Sequence, residues 1–396
     1  MHLNKSMARF LSNFIVIVSA LFLLSPDILY ADWGMNMTKG ATPISQDVYN
    51  MHMTSLYVVT VIGILVFGVM FWSIFHHRKS KGVKPSKFSH STTVEVIWTL
   101  IHFAIIVALA IPATKLLARM DDTSKSEITI KATGYQWKWK YDYIDEDLTI
   151  YSNLAADSVD ASQRNSGIDP KTADNYLRNT DTALVLPVGK KIRIMTTASD
   201  VIHAWWVPDL GWKRDAIPGF INDNWTVINK EGTYRGQCAE ICGKGHGYMP
   251  IVVKAVPEKQ YLAWVQETKL ALKSKKDSGD KELSMDELKS KGEAVYKANC
   301  LACHQADGGG VPNMNAPLDA ASNVVGKDIA RLVRIIRYGY NERVALDGFY
   351  YSNAMTASPD LKDNEIADLL TYIRNSWSNK ASAVTIAQVQ AAKKKK

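Results

Sequence analysis

Hydrophobic and polar positions divide the 396-residue chain into blocks of different period. The first is an apolar run, Phe10–Leu24, behind Lys5 and Arg9. Asn13 interrupts it, Pro26 follows it, and Leu29-Tyr30-Ala31 ends on a small residue, which favours a secretory leader over residues 1–31 rather than a first membrane span. Thr54–Phe75 and Val96–Leu117 are each 22 residues long. The first has no charge, and the second has only Lys115, at its end, where the stem can snorkel. Each can cross roughly 30 Å of hydrocarbon, so residues 45–119 read as a transmembrane helical hairpin.

Over residues 120–267 the period falls to two. Glu127–Asp147 alternates and is rich in aromatics, and Ala183–Leu186, Lys191–Thr197, Asn224–Asn229, Thr233–Gln237 and Ile251–Val256 are short β-branched runs. Gly, Pro, Asn and Asp separate them, which predicts an all-β sandwich or Greek-key barrel. Residues 152–181 read as loop, and Glu258–Leu272 as a closing helix. A charged linker covers 268–284. Ser284 and Glu287 then form a capping box for a helix over Met285–Asn299, and Asn364–Trp377 has the pattern of another, giving an all-α domain over 285–379. Residues 380–396 read as a disordered tail ending in four lysines. The fold class is therefore multidomain and membrane-anchored.

The net charge of +8 invites a nucleic-acid partner, but its placement argues against one. Arg78–Lys87 carries five bases and no acid, and Lys393–Lys396 carries four more, which together exceed the whole excess. The basic loop lies between the two spans and puts that side in the cytoplasm, with both ends outside. Glu95 stands at the cytoplasmic mouth of the second span, as a proton-feeding carboxylate or an interfacial charge; spacing alone favours the interfacial charge.

The four cysteines form two close pairs, too few for a disulfide-stapled scaffold. Cys238, Glu240, Cys242, His246 and Met249 share one loop, C-x3-C-x3-H-x2-M, and His203 lies upstream. Two thiolates, two imidazoles and a thioether are a soft set suited to copper. A second cysteine at i+4 lets two thiolates bridge two copper ions, with one imidazole for each. A disulfide, a zinc site and a chaperone-type thiol pair compete with this reading. Met249 would be idle at zinc, and Gly243 stands where a chaperone motif has proline. Cys300-Leu-Ala-Cys303-His304 is the attachment signature of a c-type haem, with His304 as one axial ligand. Met355 and Met314 are candidates for the other; Met314 is only ten residues from His304, and Met355 is preferred.

The stretches GQCAEICGKGHGYMPIVV, DVIHAWWVPDLGWKRDAIPG, GYQWKWKYDY and TVEVIWT together resemble subunit II of the haem–copper cytochrome c oxidases over residues 45–267. The last domain resembles small class I cytochromes c, as in bacterial oxidases with a fused cytochrome. The resemblance implies a cupredoxin-like barrel in which Cys238 and Cys242 bridge two coppers. His203, His246 and Met249 would be side-chain ligands, and Glu240 would give its carbonyl to copper and its side chain to Mg²⁺ or Mn²⁺. It implies electron acceptance at Trp137 with Trp139 beside it, and a proton-path role for Glu95. It implies a bacterial inner-membrane location with both outer domains on the periplasmic side. The implied partners are catalytic subunit I, subunit III and a cytochrome c donor. The alternatives are the corresponding subunit of a nitric oxide reductase and, from another class, a membrane-anchored copper chaperone or thiol oxidoreductase.

Overall fold

Thr42 starts the first long helix. Its hydroxyl accepts the Ser45 N–H at 2.9 Å, the Ser45 hydroxyl accepts the Thr42 N–H at 3.0 Å, and Pro43 presets φ in the first turn. This helix, α1, is Pro43–His76, and α2 is Thr92–Met120. The computed structural model describes residues 36–84, 89–163, 166–277, 283–340, 345–346, 349–351 and 354–393, so the expected leader over 1–31 lies outside the described residues. Along both helices apolar side chains such as Ile64, Phe67, Phe103 and Ile106 stand exposed, a surface for lipid or partner helices. Both helices outrun their apolar stretches, because their outer ends are bound to the β domain. Thr42 Oγ1 donates to the Leu210 carbonyl at 3.0 Å, and the Trp225 indole N–H donates to the Arg119 carbonyl at 2.9 Å.

Ten strands follow: β1 Ile128–Tyr135, β2 Lys138–Tyr143, β3 Leu148–Ser152, β4 Leu184–Pro187, β5 Ile192–Ala198, β6 His203–Val207, β7 Trp212–Ala216, β8 Asn222–Thr226, β9 Gly232–Cys238 and β10 Pro250–Val256. They form two five-stranded sheets, ordered β3-β2-β1-β5-β8 and β4-β10-β9-β6-β7. Alternation sets which side chains enter the core. Along β2, Trp139, Tyr141 and Tyr143 point in and Lys138, Lys140 and Asp142 point out. The aromatic core includes Trp139, Trp205 and Tyr141, and the Trp205 N–H donates to the Tyr141 hydroxyl at 3.3 Å.

Residues 152–181 are not simply loop: Ala156–Ser162 forms a short helix, α3, that buries Ser158 and Ala161. Helix α4, Glu258–Asp277, continues into the expected linker. The last domain contains α5 Met285–Asn299, α6 Leu301–His304, α7 Ser322–Val325, α8 Ile329–Tyr338, α9 Asp363–Ile373 and α10 Ile386–Lys393. Gly292 lets α5 approach α9 closely, since a Cβ there would lie 2.1 Å from the Asp368 carbonyl oxygen.

The expected disorder over 380–396 is corrected for residues 380–393. Val389 and Ala392 of α10 are buried, as is Val384, whose N–H donates to Thr371 Oγ1 at 3.0 Å. Their neutral Ala/Gln-rich surroundings hid a short apolar face.

Candidate metal centre and haem cavity

Strands β6 and β9 bring the soft donors together. They pair through Trp205 and Cys238, which sets His203 at the start of β6 near Cys238 at the end of β9. Gly236 permits this approach: a Cβ there would lie 1.9 Å from the Trp206 carbonyl oxygen. The chain then loops to β10 and places Cys242, His246 and Met249 around the same point. The two Sγ atoms are 3.8 Å apart. Cys238 Sγ lies 3.8 Å from His203 Nδ1 and 3.4 Å from the Glu240 carbonyl oxygen. Cys242 Sγ lies 3.5 Å from His246 Nδ1 and 3.6 Å from Met249 Sδ. Cys238, Cys242, His203 and Met249 are buried, and both cysteines are free thiols.

This donor set fits a metal. Contact with Cys242 lowers the Cys238 pKa to about 3 against the opposing effect of burial, with His203 and backbone groups assisting. The same contact, with burial, drives Cys242 upward and keeps its proton in place. Two thiolates at this spacing repel, and a cation between them removes the repulsion and replaces the proton. His203 is oriented from behind: its Nε2 meets Asp200 Oδ1 at 2.9 Å, leaving Nδ1 toward the sulfurs. Burial opposes charging of His203, but Asp200 and Cys238 outweigh it and raise its pKa.

The second centre is a cavity of about 500 Å³ lined by Cys300, Cys303, His304, Met314 and Met355, with apolar walls that include Leu369 and Ile373. His304 Nδ1 donates to the Ala316 carbonyl at 2.9 Å, which leaves Nε2 as the open ligand atom. Burial lowers the His304 pKa and keeps the ring neutral. Two thiols, a neutral imidazole and two thioethers around an apolar cavity fit a covalent c-type haem. Met355 is fixed by paired backbone hydrogen bonds of 2.8 Å with Tyr340 and packs on the domain core, whereas Met314 is 39% exposed.

Trp137 lies between the two centres. Its indole N–H donates to the Cys242 carbonyl at 3.0 Å, and the residue also lines the haem cavity. Trp139 does not share that position. It is fully buried, its ring 6.0 Å from the His203 ring, because strand alternation turns it into the core. Trp139 therefore stands behind Trp137, on the core side of the strand, rather than at the domain contact. Glu240 is half-buried, and Glu95 lies in the first turn of α2. Sequence reasoning missed Asp200, Gln136, Lys138 and Lys244. Gln136 Nε2 donates to the Cys242 carbonyl at 2.7 Å, beside Trp137. Only Asp200 left a signal, a carboxylate three residues before His203.

Three family models match the chain. They are the cytochrome c oxidase subunit II transmembrane domain over residues 31–116, its periplasmic domain over 128–256, and cytochrome c over 290–377. A probable cytochrome c oxidase subunit 2 of Rickettsia prowazekii is 37% identical over 243 residues, covering 61% of this chain and 73% of that protein. Cytochrome c oxidase subunit 2 of Arabidopsis thaliana is 36% identical over 252 residues, covering 63% and 95%. Among solved structures, the periplasmic domain of subunit II of cytochrome oxidase of Bradyrhizobium japonicum is 38% identical. It covers 38% of this chain and 98% of that one, with a TM-score of 0.33. Two spans and a periplasmic domain give the topology of a bacterial inner-membrane protein. The chain belongs to the cytochrome c oxidase subunit II family, in a bacterial form with a C-terminal cytochrome c domain.

Proposed function

We propose that this electron-transfer subunit holds dinuclear copper between Cys238 and Cys242 and a covalent haem c on Cys300 and Cys303, and that electrons cross it from haem domain to copper domain to catalytic subunit I. The observation that carries this reading is the 3.8 Å approach of two free buried thiols, each with its own imidazole within 3.8 Å. When bound, the copper pair and the haem iron would each supply a one-electron couple.

The chain's own residues do the rest. Asp200 orients His203, and the buried core around Cys238 and Met249 excludes water. His304 and Met355 would hold the haem iron, with the Ala316 carbonyl fixing the imidazole. Trp137 would relay electrons between the domains. The Glu240 side chain would bind Mg²⁺ or Mn²⁺ at the contact with subunit I, and Glu95 would stand at a proton path. Subunit III and a periplasmic cytochrome c donor complete the proposed partners.

Metal analysis and electron paramagnetic resonance of the purified oxidase test the reading. Two coppers and one c-type haem per chain, with a mixed-valence copper signal abolished by His203→Ala, are expected. No copper, together with a Cys238–Cys242 disulfide in the mature protein, would assign a thiol oxidoreductase instead.

A further inference from the structure

The Trp137 face of the copper domain is covered by the chain's own haem domain, and two lysines make the contact. Strand alternation points Lys138 outward from β2, where its Nζ donates to Asn299 Oδ1, the residue before Cys300. The Asp360 carboxylate, also from the haem domain, lies beside Lys138 and accepts a hydrogen bond from Tyr135. The rings of Tyr151 and Tyr135 complete the surroundings, with centroids 5.1 and 5.8 Å from Nζ. Lys244 comes from the metal-ligand loop itself, between Cys242 and His246. Its Nζ donates to Asn315 Oδ1 and also hydrogen-bonds Cys303. Asn315 is buried and precedes Ala316, whose carbonyl holds His304.

We propose that Lys138 and Lys244 form an interdomain clamp, two positioning residues that dock the rim of the haem cavity on the copper-ligand loop. The clamp rests on the reading of that cavity as a haem site. Each lysine touches a group within one residue of a haem anchor, so together they fix the cavity in register with Trp137. They also place two positive charges at its rim, which favours the ferrous over the ferric state. With the clamp closed, an external donor has no access to the Trp137 face and docks on the haem domain instead.

The test uses the intact oxidase carrying Lys138→Met and Lys244→Met together, which keeps the apolar stems. Haem content is first measured on both proteins, and then the haem midpoint potential and amide hydrogen exchange over 135–138 and 299–304. The potential is expected to fall in the variant. Exchange at the contact is expected to rise about tenfold, the effect of losing a hydrogen bond to a charged group. The Lys138→Arg/Lys244→Arg protein should restore the potential, because the charge returns. Normal haem content with unchanged potential and exchange overturns the clamp alone. A wild-type chain without covalent haem overturns the haem reading and the clamp with it.

Discussion

Trp137 and Cys242 are joined by an indole N–H···O=C hydrogen bond of 3.0 Å that ties the wall of the haem cavity to the metal-ligand loop. The Gln136 side chain holds the same carbonyl at 2.7 Å, so the loop keeps one donor if the indole is lost. Trp137→Phe should therefore retain copper, with a stability loss of about 1 kcal/mol. Reduction of the copper centre should lag behind haem reduction in stopped-flow traces. Unchanged copper reduction would remove Trp137 from the route.

Asp200 reaches the donor set through His203, while its second oxygen accepts the Gln136 backbone N–H at 2.8 Å. Asp200→Ala leaves every donor near the sulfurs in place but frees the imidazole, which now meets the carboxylate at 2.9 Å. Loss of such an orienting partner typically costs about 10–100-fold in metal affinity. Competition with a copper chelator would measure it. Wild-type affinity would show that burial alone fixes the ring.

The donors in the C-x3-C-x3-H-x2-M loop were legible because residue type and short spacing carry their chemistry, and the same holds for Cys300, Cys303 and His304. The alternating cores of β2 and β5 were legible too, from period two. What escaped depends on distant packing. Strand β6 lacks an alternating run, since it is buried at four of five positions. Trp139 shares a motif with Trp137, and only the direction of the strand separates a buried ring from one at the domain contact. Lys138 reads as a solvated charge in sequence, since its partner Asn299 is 161 residues away. The C-terminal helix was hidden by its neutral composition, although Val384 and Val389 are buried.

Met355 and Met314 both line the cavity, but only Met355 is held by paired backbone hydrogen bonds and packed on the core. A preorganised thioether makes the better axial ligand. Met355→Ala should convert the haem to a high-spin or misligated form and lower its potential, while Met314→Ala should leave the spectrum intact. The reverse pattern in optical and resonance Raman spectra would transfer the ligand to Met314.

Asp363 anchors the C-terminal helix through Lys393, at 2.9 Å, and Arg337. The Lys393 hydrogen bond lowers its pKa against opposing burial, with both cations adding to the effect. A carboxylate with a depressed folded-state pKa stabilises the fold fully above its unfolded value, about 4, and loses that contribution as pH falls through the folded value. Asp363→Asn should cost about 1 kcal/mol at pH 7, a modest figure because Lys393 is partly exposed. Wild type and variant should converge in thermal unfolding, followed by haem absorbance, as the pH drops below about 4. Parallel curves at all pH values would rule the ion pair out as a stabilising contact.

Gly245 offers a steric test of Trp137 that leaves its chemistry unchanged. Its φ of −89° suits any residue, so the backbone does not require glycine there. The requirement comes from the indole: a Cβ on Gly245 would lie 2.2 Å from Trp137 Cδ2 and 2.5 Å from Cγ. Gly245→Ala must push the ring away or shift the loop that carries His246, at about 1–3 kcal/mol for such overpacking. At Gly247, two residues on, a Cβ meets nothing within 4 Å. The expected result is a perturbed copper spectrum and slower copper reduction in Gly245→Ala, with Gly247→Ala close to wild type. If both variants match wild type, the Trp137 ring is not held against this loop in the working enzyme. If both are equally impaired, the loop tolerates no added Cβ and the effect is not specific to the ring.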